Sequence, residues 1–268
     1  MLPRPDRYEL KYIVDERRAQ AIRVYVESYL PADQYMASPR GYHVRSLYLD
    51  SPDLQLYRQT LAGHRDRFKL RIRFYNENLD RAKLEIKRRS KDTIRKEVAR
   101  VNAEAVSRVI ASKWPDESQL GWQDRDDESP CAKDNYSMQQ FCELRDGLAA
   151  SSQVLVDYWR EAYEAAHRDS PRITFDRDLR AAHCRTEDDL AEPRVDFQPE
   201  VGGVILEIKF TPPRPVWLHD LIQQFNLQRR SVPKYVLCAD VLKHGAATTV
   251  SDPWSVDKDR FKRSTSRE

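Results

Sequence analysis

The chain has 268 residues, enough for one large domain or two small ones, and 40% of them are hydrophobic, which suffices for a core. Charged residues make up 33%, against about a quarter in an ordinary globular chain. The net charge is nevertheless only +3, which excludes a general polycation, so acids elsewhere must offset any basic site.

Seven glycines and no G-x-x-x-x-G-K-[ST] or G-x-G-x-x-G exclude a glycine loop as phosphate cradle; side chains must hold any phosphate. Cys131, Cys142, Cys184 and Cys238 form no C-x-x-C pair and read as free thiols of a reducing compartment. The histidines show no metal-ligand spacing. The start, MLPRPDRYELKY, has no apolar signal region, and no run approaches the roughly 18 apolar residues of a membrane span. The expectation is a soluble, cytoplasmic protein without a membrane span of its own.

Residues 6–14 read as a strand with Arg7, Glu9 and Lys11 on one face and Tyr8, Leu10 and Tyr12 on the other. Asp15–Tyr29 reads as a helix burying Ala19, Ile22, Val26 and Tyr29. Residues 42–50 form a strand, and Ser51-Pro52-Asp53 opens a short helix with the stripe Leu54, Tyr57 and Leu61. A hairpin follows over residues 66–98. Phe68, Leu70, Ile72 and Phe74 share one face, and Lys69, Arg71 and Arg73 the other; after a turn at Asn76–Asp80, Leu84 and Ile86 oppose Lys83, Glu85 and Lys87. On the next strand, 91–98, the inward cation is either Arg95 or Lys96.

Asn102 is placed to cap a helix running to about Ser112. The polar stretch 114–135 reads as a surface excursion, and 136–150 as a helix. Strands return at 153–166, at 171–178 with Arg172, Thr174 and Asp176 on one face, and at 203–210 with Ile205, Glu207 and Lys209 on one face; 193–198 is a candidate short strand. Pro215–Leu227 is an amphipathic helix with Leu218, Leu221, Ile222 and Phe225 inward. Ser231 then opens a last helix to about Lys243, with Lys234 in its first turn. The fold unit is 1–244, and 245–268 reads as a disordered tail.

One face of most strands is apolar and the other is charged. The economical arrangement is α+β: about eight antiparallel strands close into a barrel, with helices packed on outward apolar faces and the charged faces lining a wet lumen. The candidate cations are Arg7, Lys11, Arg71, Arg73, Lys87, Arg160 and Arg172, and the candidate acids Glu9, Glu85 and Glu207. Excess cations with a few carboxylates suit a multiply charged phosphate chain together with Mg²⁺ or Mn²⁺. Lys234 at a helix start adds a further anion-binding candidate. RNA-binding sheets expose aromatics for base stacking, but Phe68, Phe74 and Phe175 fall opposite the charges, so no nucleic acid is expected.

The segments RYELKY, SLYLDSPDLQLY, KLRIRFY, LEIKRR, YWREAY, PRITFDRDL, LEIKF and SVPKY occur in this order between about Asp6 and Leu242. Together they resemble the VTC-type polyphosphate polymerase domain of the triphosphate tunnel (CYTH-like) superfamily. The resemblance implies an eight-stranded antiparallel tunnel. It also implies metal-dependent transfer of the γ-phosphoryl group of ATP to polyphosphate, or to a pyrophosphate or phosphate start, with a possible membrane-protein partner. By motif, Lys11, Arg71, Arg73, Lys87, Tyr158, Arg160 and Lys234 correspond to phosphate-binding or catalytic positions and Glu207 to the metal-binding glutamate. Ser231 stands three residues from Lys234, where the family's serine is usually adjacent. Hydrolytic tunnel enzymes begin E-x-E-x-K; here those positions are Arg7, Glu9 and Lys11, which favours transfer to phosphate over transfer to water. Two alternatives stay open: a triphosphatase acting on an organic triphosphate or tripolyphosphate, and a non-catalytic module that binds polyphosphate or nucleic acid.

Overall fold

A computed structural model describes residues 8–76, 78–90, 93–121, 132–167, 169–194 and 197–244. Arg7, Cys131 and the tail 245–268 lie outside the described residues. The strands are β1 (Tyr8–Val14), β2 (Tyr42–Asp50), β3 (Asp66–Tyr75), β4 (Asn78–Ser90), β5 (Thr93–Asn102), β6 (Ser151–Glu164), β7 (Arg172–His183) and β8 (Val204–Phe210). They form one antiparallel sheet in the order β1-β8-β7-β6-β2-β3-β4-β5.

Among the described residues no ladder joins the two edges, β1 and β5, so hydrogen bonds alone do not close the expected barrel. The sheet curls instead. Six strand intervals separate β1 from β4, which in a flat sheet at about 4.8 Å per interval would be roughly 29 Å. Lys87 Nζ on β4 nevertheless lies 3.0 Å from Glu9 Oε2 on β1. Side-chain ion pairs complete the circuit that backbone pairing leaves open.

Two helix layers cover the convex face. The helices α1 (Glu16–Glu27) and α6 (Val216–Gln224) pack Ala19, Ile22, Val26, Leu218 and Leu221 against Tyr12, Phe175, Leu206 and Ile208. Asp15 caps α1 by accepting from the Arg18 amide at 2.8 Å. Tyr29 is 48% exposed rather than part of the stripe, because α1 ends at Glu27 and Tyr29 turns out to stack on Trp217 at 4.7 Å. The helices α3 (Ala103–Ile110) and α4 (Ala132–Gly147) cover β3–β5 through Val106, Val109, Met138 and Phe141. Asn102 caps α3 as expected, accepting from the Ala105 amide at 3.0 Å.

The expected surface excursion differs in its first part. A 3-10 turn at Glu117–Gln119 buries Gln119, and Leu120 bridges to Val101 and joins the core. The candidate strand at 193–198 is reduced to a single bridge, Ala181 to Phe197. It lies beyond α5 (Glu187–Ala191), which carries its own capping box at Thr186. The helix α2 (Gln55–Leu61) starts after Leu54, which sits in the left-handed region at φ 58°. That start shifts the phase, so Leu56, Tyr57 and Thr60 are buried and Leu61 is 45% exposed.

The last helix, α7 (Lys234–His244), departs from the outward-helix arrangement. It packs on the concave side, with Tyr235, Val236, Cys238 and Ala239 against Val44, Tyr48, Val154, Val156 and Ile205. The reason lies in β6, whose VLVDY run is buried on both faces and therefore needs cover inside as well as outside. Asp50 fixes α7 there: buried, it accepts from the Leu56 and Tyr57 amides at 2.9 Å and from the Tyr235 hydroxyl at 2.5 Å. Cys142, Cys184 and Cys238 are free and buried, in line with the reading of the sequence. Among the described residues no helix is long and apolar enough to cross a membrane.

Candidate active site

Alternation along the strands delivers the candidate residues to one concave face. The register sets Lys11 opposite Glu207, Glu9 opposite Lys209, Arg71 opposite Glu85, Lys69 opposite Lys87 and Arg160 opposite Asp176. Gly41 makes the start of β2 fit against this wall. It has φ +89°, and a Cβ there would stand 2.0 Å from the Arg160 carbonyl oxygen.

Two charge networks result. The first centres on Glu85, which is fully buried. Arg71 Nε donates to its carboxylate at 2.6 Å, Arg73 Nη1 lies at 3.9 Å, and Lys96 Nζ is its third partner. Burial pushes the Glu85 carboxyl up, but Arg71, Arg73 and Lys96 outweigh it and hold it well below the ordinary range. Lys96, not Arg95, is therefore the inward cation of β5. Desolvation of its partly covered side chain, with Arg71 and Arg73 nearby, lowers its amine despite Glu85, although the side chain remains 43% exposed. Arg71 also donates to the Tyr48 hydroxyl at 3.1 Å, and Arg73 to the Ser46 hydroxyl at 3.1 Å.

The second network runs in steps of 4 Å or less from Lys87 to Glu9, Lys209, Glu207, Arg160, Asp176 and Lys234. Burial and the neighbouring Glu207 push the Glu9 carboxyl up, yet Lys11, Lys87 and Lys209 hold it at about 2. Lys11 is 3.3 Å from Glu9 and donates to the Val232 carbonyl at 3.4 Å. Burial lowers the Lys11 amine, but Glu9 and Glu207 overcome that and raise it. Lys87 goes the other way, to about 8, because burial and the adjacent Lys11 and Lys209 prevail over Glu9. Asp176 accepts from Arg160 Nε and Nη2 at 2.7 Å and lies 2.6 Å from Lys234 Nζ; these outweigh its burial and keep its carboxyl at about 2. Tyr158 lies against the end of this network: its ring is 5.2 Å from the Arg160 guanidinium and 5.0 Å from Lys234 Nζ.

The structure thus brings together Glu9, Lys11, Arg71, Arg73, Glu85, Lys87, Tyr158, Arg160, Glu207 and Lys234. Arg172 sits at the edge of the same face, bound to Asp33 at 2.6 Å, to Glu164 and to the Tyr42 hydroxyl at 3.0 Å. Ser231 is exposed and does not cap α7, which begins three residues later; it lies on the wall of a cavity of about 790 Å³ shared with Glu9, Lys11, Lys69 and Lys87. The sequence reading did not single out Lys69, Lys96, Lys209, Asp176, Ser46 and Tyr48 as site residues. Strand alternation carries a signal for Lys69, Lys209 and Asp176, which share a face with Arg71, Glu207 and Arg172 on their own strands, and Lys96 was one of the two inward candidates on β5; Ser46 and Tyr48 lie on β2, where no site residue was singled out.

A divalent ion fits the oxygen donors of one wall. Glu207 is 4% exposed, and its carboxyl is held well below the ordinary range because Lys209, Lys11, Lys234 and Arg160 outweigh burial. Directly across the ladder, the Thr174 hydroxyl is buried without a hydrogen-bond partner. Among the described residues no three or more His, Cys, Asp or Glu converge as a complete shell. One or two carboxylates with the remaining positions filled by phosphate oxygens and water is the usual way a small hard cation is held. Glu85 suits this less: it is fully buried, and its ladder partner across the strand is the cation Arg71 rather than an oxygen donor.

Residues 6–243 match the model of the VTC domain. The chain belongs to the VTC domain family. No curated protein matches it. Among solved structures it resembles a putative adenylyl cyclase from Hippeastrum described as having a dominant triphosphatase activity, at 13% identity and TM-score 0.50, covering 92% of this chain and 99% of that one. A putative adenylate cyclase from Bacillus halodurans aligns at 10% identity and TM-score 0.45, covering 85% and 94%. One from Vibrio parahaemolyticus aligns at 13% and 0.44, covering 87% and 98%. At these identities the likeness to the Hippeastrum protein concerns the fold of this VTC domain alone.

Proposed function

We propose that this VTC domain is a metal-dependent phosphotransferase that moves the γ-phosphoryl group of ATP onto the end of a polyphosphate chain. The observation that carries the reading is the convergence of Lys11, Arg71, Arg73, Lys87 and Arg160 on one concave face, with too few acids to neutralise all the cations there; Lys11 and Lys87 also line the cavity of about 790 Å³. Membership of the VTC family supports the same substrate class.

In this mechanism Arg71 and Arg73 hold phosphate oxygens through their planar guanidinium forks. Lys11 and Lys87 neutralise the rest of the triphosphate. Arg160 and Lys234, preset by Asp176, face the charge that develops as the bond to the leaving ADP lengthens. Glu207, with Glu9 and the Thr174 hydroxyl nearby, would hold Mn²⁺ or Mg²⁺, which neutralises charge on the transferring group. An oxygen of the acceptor phosphate attacks the γ-phosphorus as the β–γ bridging P–O bond breaks. That oxygen is already ionised, so no strong base is needed, in keeping with a concave face built of Lys, Arg, Asp and Glu.

Incubation with ATP and Mn²⁺ should give acid-labile long-chain polyphosphate on a gel together with ADP. The triphosphatase reading is favoured instead if free phosphate appears in stoichiometric amount with no polymer. Tight polyphosphate binding without turnover, unaffected by Glu207→Ala, would mark a binding module.

A further inference from the structure

Lys69 stands apart from the other cations of the concave face. Arg71, Arg73 and Lys96 share Glu85; Lys11, Lys87 and Lys209 share Glu9; Arg160 and Lys234 share Asp176. Among the described residues Lys69 has no carboxylate partner. The charges that act on it most strongly are Lys11 on β1, Lys87 on β4, and Arg71 and Arg67 on its own strand, all positive. From α7 it meets the Tyr235 ring, 5.9 Å from its Nζ. The two acids of the surrounding cavity are engaged elsewhere: Glu9 by Lys87 and Lys11, and Asp240 by the Tyr57 hydroxyl.

The position extends the phosphate row. On β3, Arg73, Arg71, Lys69 and Arg67 occupy alternate positions of one face, so at about 3.4 Å per residue the row is roughly 20 Å long. That exceeds what the three phosphates of one nucleotide span. Lys69 is recessed in the wall of the cavity of about 790 Å³ and partly exposed, and Arg65, Arg67, Arg89 and Arg229 belong to the same wall. Lys69 thus stands in a basic part of the cavity wall, beyond the Arg71–Arg73 pair.

We propose that Lys69 is the ligand of a polymer phosphate lying beyond the nucleotide's three, and that it makes this site prefer long polyphosphate over a single triphosphate. The proposal rests on the phosphotransferase reading for its biological sense but concerns binding, which is measured separately. Burial and the four neighbouring cations push the Lys69 amine well below its ordinary value. A phosphate placed beside it favours the charged form, so polymer binding takes up a proton at Lys69.

The test is calorimetric titration of wild type, Lys69→Met and Lys69→Arg with ATP and with long-chain polyphosphate, without metal, at about pH 8 in buffers of different ionisation heat. Lys69→Met should weaken polyphosphate about 10-fold or more, leave ATP within about 2-fold, and abolish part of the proton uptake; a tenfold change is 1.4 kcal/mol. Lys69→Arg should restore the affinity but not the uptake. Lys69→Met removes an unpaired cation, so its melting temperature should match or exceed that of wild type. Equal losses for ATP and polymer, or no loss for either, would overturn the proposal. Wild type that binds polymer but makes none from ATP would refute the phosphotransferase reading and leave the Lys69 subsite standing. Wild type that binds no polymer would refute both.

Discussion

Glu85→Gln keeps the side chain's volume and removes its charge, and it tests whether the cations of β3 and β5 are held ready by a buried counter-ion. In the wild type the carboxylate is fully buried, with Arg71 at 2.6 Å and Arg73 at 3.9 Å, while Lys96, 43% exposed at its side chain, contributes through a better-screened contact. Removing one partner of a buried pair costs about 3–5 kcal/mol. The exposure of Lys96 and the longer Arg73 distance place this case near the lower figure, about 3 kcal/mol. At about 2–4 °C per kcal/mol for a chain of this size, the melting temperature should fall by roughly 6–12 °C. Added tripolyphosphate supplies the missing negative charge, so it should raise the melting temperature of the variant more than that of wild type; at a hundredfold excess over its dissociation constant such linkage is worth about 2.7 kcal/mol. The assay is thermal unfolding with and without tripolyphosphate. A melting temperature within about 2 °C of wild type would refute the idea that Glu85 balances the concave cations, and so would a fall with equal ligand shifts in both proteins.

The other predictions use the same charge networks. Asp176 has its folded-state carboxyl depressed to about 2, so its stabilisation is present above the ordinary Asp range and is lost as pH falls from about 4 towards 2. Asp176→Asn should therefore flatten that acid limb by roughly 2 kcal/mol in unfolding measured against pH. Tyr235→Phe deletes the 2.5 Å hydrogen bond to buried Asp50 and should cost about 2 kcal/mol in urea unfolding. Glu207→Gln should lower metal-dependent turnover of ATP by at least about 100-fold, since even outer partners of a metal ligand are worth roughly 10–100-fold, and a metal titration should show a weaker midpoint. Polyphosphate affinity should fall steeply with added salt, because the proposed binding face is an array of cations, several of which line an open cavity.

The sequence by itself determined which residues share a face. A strand's period of two is a local property, so KLRIRFY and LEIKRR already committed Arg71, Arg73, Glu85 and Lys87 to one side and Leu70, Ile72, Leu84 and Ile86 to the other. The Asn102 cap was readable for the same reason, since a cap needs only a few adjacent residues. Tertiary structure alone decided what those faces meet. Whether Lys87 reaches Glu9 depends on the curl of the whole sheet, a sum of small twists between strands far apart in sequence. The place of α7 inside the concave face was set by the double-sided burial of β6, and α7's own stripe fits either side of a sheet equally well. Lys69 looked like its neighbours in the sequence; it became distinct only when folding paired those neighbours with Glu85 and Glu9 and left Lys69 among positive charges, because ion pairing depends on distance in space, which a local pattern does not encode.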